Sequence, residues 1–378
     1  MNTEKKVSRR TIGQNDISVP LLGVGGMRFP TLPDGSIDFP AAEKIIDRAM
    51  ACGVNYFDTG WIYHNGKSES FFADALAKYP RESYFIADKL PAWCLTEELN
   101  EKQLFEEQLA RCRTSYFDFY LLHAIEDGNW KKINEHDLLS FVKQLKEKGQ
   151  IRRLGFSFHG SPELLREVLQ KAEWDFAQIQ LNAMDWHDSR AGEQYRILAE
   201  NNIPAVIMEP VRGGALAALV PSAEEKLRRL HPQWSIASWS IRFAASLPGV
   251  MTVLSGMSNL EQINDNIAAV TDFTPLSEEE SNALMDAVAE YKKTVTVPCT
   301  ACRYCADCPK GIDIPGIFQM YNRFRLSGFK GGFAGEYANL PEEQRAENCV
   351  QCGICAKHCP QHIQIPAKLR EITGEMLS

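Results

Sequence analysis

Short runs rich in β-branched and aromatic residues alternate along the chain with longer segments whose apolar positions recur at helical spacing. The runs are VPLLGVGGM (19–27), VNYFDT (54–59), YFIADK (84–89), FDFYLLH (117–123), IRRLGFSF (151–158), FAQIQLN (176–182), PAVIMEP (204–210) and VMTVLSG (250–256). Between them lie AAEKIIDRAMACG, EELNEKQLFEEQLARCR, DLLSFVKQLKEKG, SPELLREVLQK and NLEQINDNIAAV. Ser161-Pro162 reads as a helix start, and Gly53 and Gly149 read as helix stops. Eight strand–helix alternations in under 300 residues predict an α/β fold, a (β/α)8 TIM barrel. A doubly wound sheet is the alternative, but no GxGxxG follows the first run. SEEESNALMDAVAEYKK (277–293) predicts a last amphipathic helix, and SRRTIG near the start a solvated opening strand.

The periodic pattern ends near Val297, and cysteine takes over. Eleven cysteines are present; Cys52, Cys94 and Cys112 are scattered, and the other eight crowd into the last 80 residues. This divides the chain into a barrel over 1–296 and a small, mostly α-helical ferredoxin-like domain over 297–378. The second cysteine group, CVQCGICAKHCP, has the C-x2-C-x2-C-x3-C-P spacing of bacterial ferredoxins. The first, CTACRYCADCP, is one residue shorter before its last cysteine.

Three closely spaced thiolates grip three corners of an iron–sulfur cubane, and the fourth cysteine reaches the other cluster. The expected ligand sets are therefore Cys299, Cys302, Cys305 and Cys359 for one [4Fe-4S] cluster, and Cys349, Cys352, Cys355 and Cys308 for the other. The shortened first group leaves a single cluster open, and paired CxxC motifs leave structural zinc open. Both groups run on alike, as CPKGIDIP and CPQHIQIP, an echo that supports paired sites. IPGIFQMYNRFRLSG predicts a helix between them, and FKGGFAGEYANLP a loop.

In a barrel, chemistry belongs at the C-terminal strand ends. Asp58 ends the second run with Tyr63 just beyond it, Lys89 ends the third, and His123 ends the fourth. A tyrosine is a poor proton donor near neutrality, and a nearby ammonium favours its phenolate. A carboxylate holds the ammonium, and an imidazole orients a carbonyl oxygen. The tyrosine then protonates the alkoxide formed as hydride reaches carbon. Each residue alone reads equally as an ion pair or a satisfied core group; together they read as a site. Trp61, Trp93, Trp130 and Trp186 are candidate pocket walls.

On these residues, and on GFSFHG, AQIQLN, EPVRGG and LSGMSNLEQINDN in the same order, residues 8–295 resemble the aldo-keto reductases. With its tail the chain resembles their ferredoxin-bearing branch. The resemblance implies Tyr63 as proton donor, tuned by Asp58 and Lys89, with His123 orienting the carbonyl and NAD or NADP bound without a Rossmann motif. It implies that Gly26 and Met27 lie near the cofactor and Ser157 and Gln178 near its carboxamide. Pro210, Val211, Arg212 and Gly213 would cover the pyrophosphate, and Gly256, Met257, Ser258, Gln262 and Asn266 would surround the adenosine end. Phe158 stands where many members have asparagine, Met208 where an aromatic stacks on the nicotinamide, and Gln262 where NADP-preferring members place arginine. A neutral amide lacks the charge-assisted contact an arginine makes to a phosphate.

Hydride moves two electrons and a cubane one. Joining them calls for a converter such as a flavin, in the barrel or on a partner, or for a ferredoxin or flavoprotein that feeds electrons in. The expected protein is an oxidoreductase acting on a small carbonyl or alcohol, with clusters carrying electrons. The alternatives are a non-catalytic redox or nicotinamide sensor, and a plain NAD(P)H-dependent carbonyl reductase with a structural metal tail. Net charge is −8 and the isoelectric point near 5.6, against a nucleic-acid partner. No apolar run is long enough for a bilayer, and free cysteines in this number fit a cytoplasmic location.

Overall fold

The computed structural model describes residues 6–12, 17–327 and 329–376. It opens with an antiparallel ribbon of β1 (Arg9–Ile12) and β2 (Ile17–Pro20), pairing Arg9 with Pro20 and Ile12 with Ile17. The opening strand expected at SRRTIG thus has a partner. The first predicted run breaks at Leu21, its start completing the ribbon and its remainder entering the barrel. Arg10 reaches across to the carbonyls of Ala245 and Val250, tying the ribbon to the start of the last barrel strand.

Eight parallel strands close a barrel: β3 (Leu22–Gly25), β4 (Tyr56–Asp58), β5 (Phe85–Leu90), β6 (Phe117–Ile125), β7 (Ile151–Phe158), β8 (Phe176–Gln180), β9 (Ala205–Met208) and β10 (Val250–Ser255). Each predicted run coincides with one, β5 and β6 continuing past their runs to Leu90 and Ile125. The helices between them begin and end where local chemistry dictates. Ser161 caps Pro162–Leu169 by accepting from the Leu164 amide, and Asn100 and Gln103 form a reciprocal capping box on Glu101–Cys112. Gly53 and Gly149 follow their helices at φ +80° and +71°, where a side chain is costly.

Inside the barrel a buried layer is built from Tyr56, Ala87, Phe119, Leu121, Phe176, Val206 and Met251. The ring centres of Tyr56 and Phe119 lie 4.9 Å apart and those of Phe119 and Phe176 5.2 Å. Gly155 leaves room for Phe176: a Cβ there would fall 2.6 Å from that ring. Side chains in a strand alternate faces. The inward positions one step further along are therefore Asp58, Lys89, His123, Ser157, Gln178 and Met208. The packed layer is a floor, and the polar layer stands on it.

The chain divides into two compact units. One comprises residues up to Pro210 together with Ala237–Ser281; the other comprises Val211–Ile236 and the chain from Asn282 onward. The loop after β9 and most of the helix Glu278–Lys292 thus belong with the tail. Helices Ile314–Ser327, Lys330–Ala338, Ile354–Lys357 and Ile365–Met376 build the tail around Ile317, Phe318, Tyr321, Leu369 and Ile372.

The segment FKGGFAGEYANLP, expected as a loop, carries the helix Lys330–Ala338. Phe333 and Tyr337, one turn apart, stack at 5.3 Å and are buried in the tail core. Their burial outweighs the poor helix propensity of Gly331, Gly332 and Gly335.

Candidate active site and metal centre

Asp58, Tyr63, Lys89 and His123 converge in one buried place above the barrel floor. Lys89 Nζ donates to Asp58 Oδ1 at 2.7 Å and also to the Thr59 carbonyl. The same ammonium lies over the Tyr63 ring, 4.8 Å from its centre. The Tyr63 and His123 rings meet edge-on at 6.0 Å. Burial first, then the Lys89 and His159 charges, hold the His123 imidazole well below its ordinary pKa, so it is neutral near pH 7. Burial pushes the Asp58 carboxyl up, and the Lys89 charge opposes this.

The loop from β4 aims Tyr63. Gly60 lies beneath its ring, where a Cβ would come 3.2 Å from Cζ. His64, Asn65 and Gly66 follow in left-handed conformation at φ +49°, +53° and +77°, turning the chain away at once. Of the four candidate tryptophans, Trp93 meets the site, its ring 4.9 Å from that of His123. Trp61 stacks under Arg111, Trp130 donates to Glu167, and Trp186 packs on Tyr195 and Phe243.

Sequence reasoning missed the groups that hold Lys89 from behind. Gln108 Nε2 donates to the Lys89 carbonyl at 2.9 Å and to Glu69 Oε1 at 3.2 Å, while the Tyr120 hydroxyl donates to Gln108 Oε1 at 2.5 Å. Arg111 binds Glu69 at 3.0 Å. Burial and the Glu69 charge push the Asp88 carboxyl far up. Glu69 and Gln108 lie on the buried sides of the helices Ser68–Leu76 and Glu101–Cys112. Only their i, i+3 and i+4 neighbours on those sides could have signalled this.

The residues that the resemblance assigns to the nicotinamide end also come together. Ser157 and Gln178 are directly paired across β7 and β8. Ser157 Oγ accepts from the Ala124 amide at 2.7 Å, pinning an irregularity in β6. Gln178 Nε2 approaches Met208 Sδ at 3.6 Å; its Oε1 is buried with no hydrogen-bond partner among the described residues, as is Asp58 Oδ2. These open acceptors fit a carboxamide and a ribose hydroxyl. Gly26 donates its amide to the Asp58 carbonyl at 2.7 Å, and Met27 adjoins it.

Gly256, Met257 and Ser258 follow β10. Ser258 Oγ donates to the Arg28 carbonyl, and the Ser258 amide donates to Gln262 Oε1 at 2.7 Å. Asn266 binds Ser255 Oγ at 2.9 Å. Gln180, Asn182 and Asp185 form a buried network that holds the Glu209 carbonyl, while Arg28 pairs with the Glu209 carboxylate at 2.7 Å. None of that network was legible in the sequence. Pro210 closes the first unit; Val211, Arg212 and Gly213 fall in the second.

In the tail, Cys299, Cys302, Cys305 and Cys359 line one pocket with Ile314, Pro315, Phe318, Ile363 and Ile365. Cys308, Cys349, Cys352 and Cys355 are likewise electrostatic neighbours. The fourth thiol of each set comes from the other motif. Burial pushes the Cys305 thiol up to about 12, beyond what the neighbouring thiols add. Among the described residues no three ligand-type side chains converge on one ion. The four sulfurs of the first set instead stand around a pocket, a donor set and apolar wall that fit a cubane.

Residues 21–289 match the aldo/keto reductase family, and residues 298–363 match a 4Fe-4S dicluster domain. An uncharacterized oxidoreductase of Bacillus subtilis is 26% identical over 308 residues, covering 73% of this chain and 95% of that protein. The NADH-specific methylglyoxal reductase of Escherichia coli is 24% identical over 309 residues, 68% of this chain and 92% of that one. Among solved structures, an aldo-keto reductase from Bacillus halodurans in its holo form superposes with a TM-score of 0.60 at 25% identity. It covers 74% of this chain and 96% of its own. No helix among the described residues is long and apolar enough to cross a membrane.

Proposed function

The chain belongs to the aldo/keto reductase family, is an oxidoreductase and carries a C-terminal 4Fe-4S domain; from this premise we propose that it interconverts a small carbonyl compound and its alcohol, with Tyr63 moving the proton and the tail moving electrons. The observation that carries the proposal is the Lys89 ammonium, held by Asp58 at 2.7 Å and lying 4.8 Å from the Tyr63 ring centre.

A bound nicotinamide supplies hydride at the carbonyl carbon, and each bound cubane supplies one electron at a time. The chain's own residues do the rest. In the reducing direction the Tyr63 hydroxyl gives its proton to the alkoxide oxygen, forming the product O–H bond and leaving a phenolate. Lys89 stabilises that oxyanion by its charge, and Asp58 keeps the ammonium in place. Neutral His123 donates an N–H to the same oxygen and orients it. Trp93 covers one side of His123 and limits water there.

Gln178 Oε1 and Ser157 Oγ receive the carboxamide, with Gly26 and Met27 beside the ribose. Gly256, Met257, Ser258, Gln262 and Asn266 lie at the adenosine end. Gln262 offers no positive charge, which supports NAD at least as well as NADP. Cys299, Cys302, Cys305 and Cys359 hold one cluster, and Cys308, Cys349, Cys352 and Cys355 a second. Reducing a carbonyl to an alcohol takes two electrons and two protons. Hydride carries both electrons and one of the protons, so electrons held one at a time on two clusters would reach the oxidised nicotinamide through a two-electron carrier such as a flavin, with an external ferredoxin filling or draining the clusters. Cysteines that stay reduced in this number support a cytoplasmic location.

The test is an anaerobic titration of iron-loaded protein with NADH, NADPH and reduced ferredoxin, with a panel of small aldehydes present. Alcohol is measured by chromatography and the clusters by their visible absorption. Alcohol formed at the expense of one of these donors, with bleaching of the clusters, is the expected result. Protein that forms no alcohol from any donor overturns the catalytic reading. Alcohol formed while the clusters never change confines the activity to the barrel.

A further inference from the structure

The loop that leaves β9 belongs to the same compact unit as the first cysteine motif. Gly213 has φ +63°, and a Cβ there would lie 1.9 Å from the Thr300 carbonyl oxygen. The two backbones thus approach as only glycine permits. The preceding residue, Arg212, is only 5% exposed and is itself left-handed at φ +50°. Its guanidinium donates to Gln361 Oε1 at 3.5 Å. Thr300 adjoins Cys299, Gln361 lies two residues beyond Cys359, and both line the pocket of the first thiol set.

Arg212 is therefore anchored to the pocket rim from two directions, through its backbone neighbour and through its side chain. On that rim the Ala301 amide donates to Cys299 Sγ at 3.4 Å. The two thiol sets are related by sequence echo, and this buried cation adjoins the lining of the first.

We propose that Arg212 is the fixed counter-charge of the cluster held by Cys299, Cys302, Cys305 and Cys359, and that it raises the reduction potential of that cluster selectively. The proposal rests on the two-cluster reading above. Taking up one electron adds one negative charge to the cubane, and a desolvated cation beside it stabilises the reduced form over the oxidised one. An electron delivered to the tail by a reduced ferredoxin or flavin then settles preferentially on the first cluster, next to the loop that continues from β9. Arg212 acts on that cluster as a tuning residue.

The experiment is an EPR-monitored redox titration of anaerobically purified, iron-loaded protein with dithionite and mediators, in the natural sequence and as Arg212→Met, Arg212→Lys and Gln361→Glu. Arg212→Met should move one of two midpoints downward by at least a tenfold change in the reduction equilibrium, about 59 mV for one electron. The other midpoint should stay in place. Arg212→Lys should recover part of the shift. Gln361→Glu puts a negative charge between Arg212 and the thiols, so it should lower the same midpoint and serves as the deciding variant if Arg212→Met loses iron. Unchanged midpoints in Arg212→Met with full iron content overturn the proposal, as do unchanged midpoints in Gln361→Glu where Arg212→Met cannot be loaded. Equal movement of both midpoints overturns its selectivity. Natural protein that binds no iron, or shows a single cluster, overturns the two-cluster reading instead.

Discussion

The Lys89 ammonium stands over the face of the Tyr63 ring, 4.8 Å from its centre, and is fully buried. A desolvated cation in that position acts on the phenol far more strongly than it would in water. Tyr63→Phe keeps the ring and its packing but removes the proton. Turnover should fall by about 10²–10⁴-fold, with nicotinamide affinity and cluster absorbance retained. Steady-state kinetics and fluorescence titration of the same preparation check this, and full activity in the variant would remove Tyr63 from the mechanism.

Gly60 sets where that ring lies. A methyl group at this position would come 3.2 Å from Tyr63 Cζ and 3.3 Å from Cε1, so the ring must shift by a few tenths of an ångström. Gly60→Ala should lower kcat roughly tenfold with little change in KM, because alignment of the reacting oxygen is lost while binding is not.

His123 is buried and neutral, its pKa held well below the ordinary 6.5 by burial, Lys89 and His159 in that order. A folded pKa below the unfolded one means that the unfolded chain binds the extra proton first. The stability associated with the neutral ring is complete above pH 6.5 and is lost as pH falls below it. Relative to His123→Gln, the natural protein should lose up to about 1.4 kcal/mol per pH unit in that range. Urea unfolding followed by tryptophan fluorescence, at about pH 7.5 and about pH 5.5, measures it. Parallel pH profiles for the two proteins would contradict the assignment.

Cys359 belongs to the second motif by position and lines the pocket of the first. Cys359→Ser should therefore damage the same cluster as Cys302→Ser. Cys308→Ser should match Cys352→Ser. Iron should fall from about eight to about four per chain in each, and the surviving EPR signal should be shared within each pair. A Cys359→Ser protein that resembles Cys352→Ser would show that each motif holds its own cluster.

Gln262 uses its side-chain oxygen to accept from the Ser258 amide at 2.7 Å, and it carries no charge. Gln262→Arg should strengthen NADPH binding by roughly 10–100-fold, the worth of a charge-assisted hydrogen bond, with a small effect on NADH. Comparing the dissociation constants of the two cofactors in natural and variant protein tests this.

The eight barrel strands were readable because strand and helix periods are local properties. Alternation at two residues separates Asp58 and Tyr56 from the outward Phe57 without any knowledge of what packs against them. The opening ribbon was only half readable, since a lone short strand announces nothing about its partner. The helix Lys330–Ala338 was misread because its glycines argue for a loop, and the burial of Phe333 and Tyr337 that stabilises it depends on Ile314–Ser327 and Ile365–Met376 coming together.

The catalytic four were visible one by one at strand ends. Their supporting shell was not: Gln108 reaches Lys89 across 19 positions. The same holds for Arg28, which reaches Glu209 across 181, and, within the tail unit, for Arg212, which reaches Gln361 across 149. Cysteines at every third residue, strand ends that carry an acid, an amine and an imidazole, and capping residues beside apolar runs declare their chemistry within a few residues of chain, because the forces that use them act over one turn or one pleat. Which loop travels with the tail, which polar groups are stripped of water, and which side chain Arg212 meets were decided only on folding. Those outcomes depend on burial and charge summed over segments that the chain order keeps far apart.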